Sequence, residues 1–187
     1  MGAIPGDARC GLDIGCGEGE TSRRLRRRLP SMVGVDIDLA SIEMARSYDD
    51  DIDYVLGDFV VVDLPVESFD VVSAVAVSHH VNLCEGLTRL AALVRPGGVR
   101  LVVGLARSRS VLDVARDGRD AVGIRRHTFT KDVWETPAPK LWPPPLTYSQ
   151  ARTAARSVLP TATFERVGYF RYGLTWVRPP DASAPTR

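Results

Sequence analysis

The residues best equipped for chemistry in this chain are carboxylates set among glycines. The run Leu12-Asp13-Ile14-Gly15-Cys16-Gly17-Glu18-Gly19 places three glycines at alternate positions, with Asp13 before them and Glu18 between two of them. A glycine-rich turn between a strand and a helix lets the backbone approach a nucleotide-like ligand closely. Dinucleotide sites use G-x-G-x-x-G and hold a pyrophosphate at the helix N-terminus. Here the spacing is G-x-G-x-G, followed by Glu20. A carboxylate about 5 Å from a phosphate, at an effective dielectric near 20, costs on the order of 3 kcal/mol. The same carboxylates attract a ligand that carries an ammonium and a sulfonium. S-adenosylmethionine is such a ligand; the plainer alternatives are a structural turn or a phosphate loop.

Two more acidic positions follow. Asp36, in Gly34-Val35-Asp36-Ile37-Asp38, stands about twenty residues beyond the turn, where an acidic side chain reaches a ribose diol. That feature suits NAD equally. Asp38 is better read as a helix cap. Asp58, in Gly57-Asp58-Phe59, can accept a hydrogen bond from an adenine amine, with Phe59 beside the ring; a turn aspartate is the alternative. Ser78-His79-His80 supplies imidazoles whose ordinary pKa suits general-base work near neutrality. A structural histidine at a helix start is the competing reading. His127 is read as a surface residue. Trp134, Trp142 and Tyr148 either line an apolar acceptor pocket or pack a proline-rich segment. Cys16 is read as a small packed residue. The run Arg23, Arg24, Arg26, Arg27 and Arg28 is read as a solvated helix face, favourable near a helix C-terminus.

These residues need elements to position them. Apolar and amphipathic runs alternate from residue 11 to 106, which predicts βα units and a parallel sheet. Strands are expected at 10–14, 32–36, 53–56, 69–77 and 99–105, and helices at 20–29, 39–47 and 82–94. Arg95-Pro96-Gly97-Gly98 should stop the last of these helices. A further helix is expected at 149–159, and an antiparallel pair of strands at 162–170 and 172–177. Residues 107–148 break the alternation with a basic stretch and the proline-rich TPAPKLWPPPLTY, and a long insert of this kind is more often functional than idle. The last residues, 179–187, read as a disordered tail.

The run LDIGCGEGE, then GVDID, GDF, FDVV and RPGG before a strand resembles the class I S-adenosylmethionine-dependent methyltransferases, in their small type-11-like branch. The likeness covers residues 12–105. It implies a Rossmann-like α/β sandwich with a mostly parallel seven-stranded sheet, order 3-2-1-4-5-7-6 and strand seven antiparallel. It implies S-adenosyl-L-methionine as cofactor. Asp13, Gly15, Cys16, Gly17 and Gly19 would surround the methionyl part. Asp36 would bind the ribose, Ile37 would pack on the adenine, and Asp58 with Phe59 would recognise its edge. Ala74 and Val75 would offer backbone contacts to the methionyl amine. His80, with His79 second, would act on the acceptor. Relatives usually carry helices before strand one, where about ten residues stand here; either the chain is shortened or the insert alone makes the lid, and residues 107–148, long, proline-rich and aromatic, are the expected acceptor cap.

Composition narrows the rest. With 187 residues, 44% hydrophobic and 25% charged, the chain is expected to form one globular domain over 1–187. A net charge of +1 argues against a field for nucleic acid or membrane. Three cysteines without metal-ligand spacing argue against a disulfide framework or a metal site and for a reducing, cytoplasmic setting. No signal-peptide pattern or membrane-length apolar run is present. The expected function is methyl transfer to an oxygen or nitrogen of a small molecule, by a monomer or homodimer. The alternatives are a cofactor-binding protein without transfer activity and an RNA or protein methyltransferase. The latter lacks an Asn/Asp-Pro-Pro-Tyr/Phe motif after strand four, where the chain reads AVAVSHH.

Overall fold

The computed structural model describes residues 4–48, 50–75, 82–107, 143–168 and 170–180. Their elements are β1 (Cys10–Ile14), α1 (Glu20–Arg26), β2 (Ser31–Asp36), α2 (Leu39–Ser47), β3 (Asp53–Leu56), β4 (Phe69–Val75), α3 (Leu83–Leu93), β5 (Val94–Leu105), α4 (Tyr148–Val158), β6 (Thr163–Gly168) and β7 (Arg171–Val177). The strands form one seven-stranded sheet of order β3-β2-β1-β4-β5-β7-β6. Strands β1 to β5 run parallel, and β7 is antiparallel to both β5 and β6. This is the topology expected from the sequence.

Strand parity assigns the two faces, because alternate side chains point to opposite sides. Leu12, Ile14, Val72, Ala74, Val102, Tyr172 and Leu174 share the larger core with Leu83, Leu87, Leu90 and Leu93 of α3 and Ala151 and Ala155 of α4. The opposite face carries Met32, Val71 and Val99, packed with Leu25 and Leu29 beside α1. There Tyr54 joins Cys16 and the α2 residues Ile42 and Ala45. The sheet therefore lies between α1 and α2 on one side and α3 and α4 on the other. Strand β1 pairs with β2 on one edge and β4 on the other, so the strand order reverses at its end. That reversal opens the crevice in which open α/β sheets bind ligands.

Most boundaries match expectation within a few residues, and two differences have clear causes. Strand β5 begins at Val94, earlier than the expected 99. Pro96-Gly97-Gly98 does end α3, with Gly97 left-handed at φ 78. Gly97 N–H then donates to the Arg178 carbonyl at 3.0 Å, and Arg178 N–H to that of Gly98 at 2.9 Å. These bonds to the chain after β7 draw the turn into the sheet. The β4–β5 register consequently jumps from Phe69↔Val94 to Val71↔Val99. The second difference is the end of the 107–148 insert. Thr147 caps α4 through a capping box with Gln150, and Tyr148 is the first helical residue, buried in the larger core. Tyr148 thus begins α4 one residue before the helix start expected from the sequence, and its side chain packs in the larger core, the second of its two readings. Arg107 bridges Thr147, and its N–H donates to the Leu146 carbonyl at 2.9 Å, so the ends of the insert meet at the top of β5.

Candidate functional site: an acidic turn at the strand reversal

The glycine turn leaves β1 at the crevice. Gly15, Gly17 and Gly19 all adopt positive φ, at 64°, 52° and 81°, which glycine alone takes readily. Gly15 and Cys16 donate their N–H groups to the Val35 carbonyl at 2.7 and 3.1 Å, which moors the turn to β2. A Cβ on Gly19 would collide with the Tyr54 hydroxyl. A Cβ on Gly17 would meet nothing within 4 Å. The turn is therefore packed tightly behind and open in front, as a cradle for a closely approaching ligand must be.

Asp13 lies under this turn, 1% exposed. The Ser22 hydroxyl of α1 donates to its Oδ2 at 2.7 Å, and the Ser73 hydroxyl of β4 to its Oδ1 at 2.6 Å. Burial pushes its pKa up to about 6, against the serine hydrogen bonds, and the nearby Asp36 charge adds to the rise. Both oxygens thus have protein partners, and Asp13 fixes α1 and β4 to the end of β1. Asp36 is half-buried at the end of β2. Its Oδ2 accepts from Gly17 N–H at 2.7 Å and its Oδ1 from Asp38 N–H at 2.9 Å. Asp38 caps α2 by accepting from Ser41 N–H at 2.8 Å, and those bonds hold its pKa below the usual carboxylate value. The division of roles between Asp36 and Asp38 expected from the sequence holds for the cap. Cys16 is buried beside Tyr54, Ile42 and Ala45. Burial, then Asp13 and Asp36, push its thiol pKa far up, which suits a packed residue and not a nucleophile.

The remaining predicted cofactor residues lie along the same edge. Ile37 is 71% exposed, and Leu56, Val61 and Val75 are also exposed. Asp58 Oδ1 accepts from Val60 N–H at 2.9 Å. Phe59 points mainly into the larger core, and Ala74 is buried there too. His79, His80, His127, Trp134 and Trp142 lie outside the described residues, as does nearly all of the 107–148 insert and residues 181–187 of the tail.

Three features escaped the sequence reading. Ser22 and Ser73 were not singled out; Ser73 stands as a polar residue inside the apolar run of β4, which is a usable signal. The arginine run is not simply a solvated face. Arg23 donates back to the Glu18 carbonyl of the turn at 2.8 Å, pairs with Asp50 at 3.7 Å and lies over the Tyr48 ring at 4.0 Å. Arg26 pairs with Asp51 at 2.7 Å and donates to the Leu29 carbonyl. Arg24, Arg27 and Arg28 follow the expected pattern on the exposed side, Arg24 pairing there with Glu20. Tyr54 completes the brace, donating to Asp50 at 3.1 Å behind Gly19, with its phenol pKa raised first by burial.

Among the described residues no cluster of His, Cys, Asp or Glu could hold a metal ion, and no helix is long and apolar enough to cross a membrane. The chemistry of the site is that of an acidic, backbone-lined cradle with an apolar flank, which fits a cationic nucleoside. Comparison with known proteins agrees. Residues 12–102 match the family model of a methyltransferase domain. An uncharacterized methyltransferase of Mycobacterium tuberculosis is 35% identical over 183 residues, covering 94% of this chain and 90% of that protein. The S-adenosylmethionine-bound amino pentose methyltransferase of Micromonospora echinaspora is 27% identical, with TM-score 0.50, over 54% of this chain and 44% of that one. The putative methyltransferase in complex with the Haloferax volcanii Trm112 methyltransferase activator, at 15% identity, shares the fold, with TM-score 0.66 over 95% of this chain and 85% of that one. The chain belongs to the class I S-adenosylmethionine-dependent methyltransferases. It is a methyltransferase, and its cofactor is S-adenosyl-L-methionine.

Proposed function

We propose that this enzyme transfers the methyl group to an oxygen or nitrogen of a small-molecule acceptor, as a cytoplasmic monomer or homodimer formed by one domain. The observation that carries the site assignment is the acidic turn at the strand reversal, closed behind by Tyr54 and open in front of Gly17. The cofactor supplies an electrophilic methyl on a sulfonium. Gly15, Cys16, Gly17 and Gly19 pass around its methionyl part, with Asp13 acting from beneath by its charge and by holding the turn. Each Asp36 oxygen retains a lone pair beyond its present bonds and takes the ribose hydroxyls. Ile37 lays an apolar side chain against the adenine, and Asp58 and Phe59 take its edge. Ala74 and Val75 offer backbone groups to the methionyl amine. His80, and after it His79, receives the proton of an acceptor hydroxyl or amine. Residues 107–148 cover the acceptor; the meeting of their ends above β5 supports that role.

Calorimetry with S-adenosylmethionine, S-adenosylhomocysteine and NAD tests the site. The first two should bind in the micromolar range, about −7 to −8 kcal/mol, and NAD negligibly. Asp36→Ala should weaken cofactor binding by about 1.5–3 kcal/mol. Asp38→Ala should lower the melting temperature and leave cofactor affinity unchanged. Equal loss of affinity in both variants overturns the ribose assignment. His80→Ala should lower turnover by about 10²–10⁴-fold at unchanged cofactor affinity.

A further inference from the structure

The near-zero net charge hides a strong division. Residues 1–93, ending with α3, hold sixteen acids and eight bases, whereas residues 94–187 hold sixteen bases and seven acids. The topology turns this sequence division into a spatial one. The acidic segment builds the β3-β2-β1-β4 side of the sheet, and the basic segment builds β5-β7-β6 and α4. Among the described residues from 94 to 180, every charged side chain but Glu165 is an arginine.

Most of these arginines have evident structural partners. Arg95 pairs with Asp70 and Asp7, and Arg178 with Glu67. Arg100 is buried and donates to the Leu87 carbonyl at 2.7 Å. Arg152 lies over Phe164 and Arg166 over Tyr148. Arg156 sits in the last turn of α4, where a cation suits the dipole. Arg107 and Arg171 remain. Both are exposed, and neither has a carboxylate partner among the described residues.

Their position is informative. Arg171 opens β7 opposite Leu105, the last residue of β5, and Ala106 N–H bonds the Phe170 carbonyl. Arg107 follows at once. Both therefore stand at the carboxyl edge of the sheet, the edge on which the cofactor turn lies. Val75 at the end of β4 is level with Val103, two residues before Leu105. With a rise of about 3.3 Å per residue and about 4.8 Å between strands, the backbones of Val75 and Arg171 are about 12 Å apart. An arginine side chain is long enough to cover much of that distance along the carboxyl edge, past the end of β5 that lies between them.

We infer that Arg107 and Arg171 recognise a negatively charged group on the acceptor, so that the enzyme methylates small molecules bearing a carboxylate or phosphate. This rests on the proposed cofactor and acceptor site. The acidic half holds the cationic cofactor, and the basic rim holds the anionic acceptor. Guanidinium groups suit this task, because their forked donors match the oxygens of both anions.

The test titrates benzoate, phenyl phosphate and neutral benzamide into protein saturated with S-adenosylhomocysteine, followed by NMR. At least one anion should bind with Kd below about 1 mM and at least tenfold more tightly than benzamide; which one binds separates carboxylate from phosphate. Arg171→Gln and Arg107→Gln should each weaken that binding about tenfold and leave S-adenosylhomocysteine affinity within twofold. Arg156→Gln should change neither. Equal binding of benzamide and both anions overturns the inference, as does undiminished anion binding in both Gln variants. Failure of S-adenosylhomocysteine to bind overturns the cofactor assignment instead. The same titrations on the free protein then still judge the arginine pair.

Discussion

Asp13 shows how burial turns a site residue into a titrating one. Its carboxyl holds a proton to about pH 6 in the folded protein, against an ordinary value of 3.8. Between these values the folded chain binds more protons than the unfolded chain, so stability falls as pH rises. The favourable contribution is full below about pH 3.8 and is lost as pH rises through about 6. The difference is on the order of 3 kcal/mol. Asp13→Asn removes the ionisation while keeping a polar group between Ser22 and Ser73. Its stability relative to the natural chain should therefore improve from pH 4 to pH 7.5, measured by urea unfolding at each pH. Parallel stability profiles for the two proteins would sink the assignment.

At the scale of elements, the glycine turn has two kinds of demand on it. At Gly17 only the backbone conformation requires glycine, since a Cβ meets nothing. At Gly19 the conformation and the Tyr54 hydroxyl both exclude a side chain. Gly17→Ala should cost about 1–2 kcal/mol of stability, the usual penalty of left-handed backbone. It should also weaken S-adenosylhomocysteine binding, because the new methyl faces the crevice. Gly19→Ala should cost clearly more stability, because Tyr54 must move and its bond to Asp50 breaks with it. Thermal melts of the two variants give the order, and a smaller loss at Gly19 would contradict the packing described. The cap of α2 by Asp38 is local and was readable from the sequence; the box of α4 at Thr147 and Gln150 is equally local, but the helix was expected to begin one residue later and the box went unread.

Across the whole molecule, two buried charged residues have opposite expected effects. Asp70 accepts from the N–H groups of Arg9 and Cys10, each at 2.8 Å, and pairs with Arg95. It ties the start of β1 to β4 and to the turn inside β5. Asp70→Ala orphans all three donors and should cost about 3–5 kcal/mol. Arg100 is also fully buried, but its Nε and one terminal nitrogen have no partner among the described residues. Burial lowers its pKa to about 9. Arg100→Met replaces a desolvated cation by an apolar chain of similar length against Leu87 and Trp176, and should leave stability unchanged or higher. Chemical denaturation of both variants decides; a loss at Arg100 comparable to that at Asp70 would show that the cation is fully satisfied.

The alternation of apolar and amphipathic runs, the spacing of Gly15, Gly17 and Gly19 and the cap at Asp38 could be read without coordinates, because periodicity, turn chemistry and capping act over a few residues. Strand order was legible only through family resemblance, and the sheet bears it out. What surrounds Asp13 was not legible, since Ser73 reaches it from sixty positions away along the chain. The same holds for Arg23 bracing the turn through Asp50, for Asp70 latching Arg95, and for the drawing of Pro96-Gly97-Gly98 into β5 by Arg178. A local pattern states that a residue is polar or a turn is tight. Which partner desolvates it, shifts its pKa or leaves its charge exposed is settled by strands that are neighbours in space and distant in sequence, and only the tertiary structure brings those together.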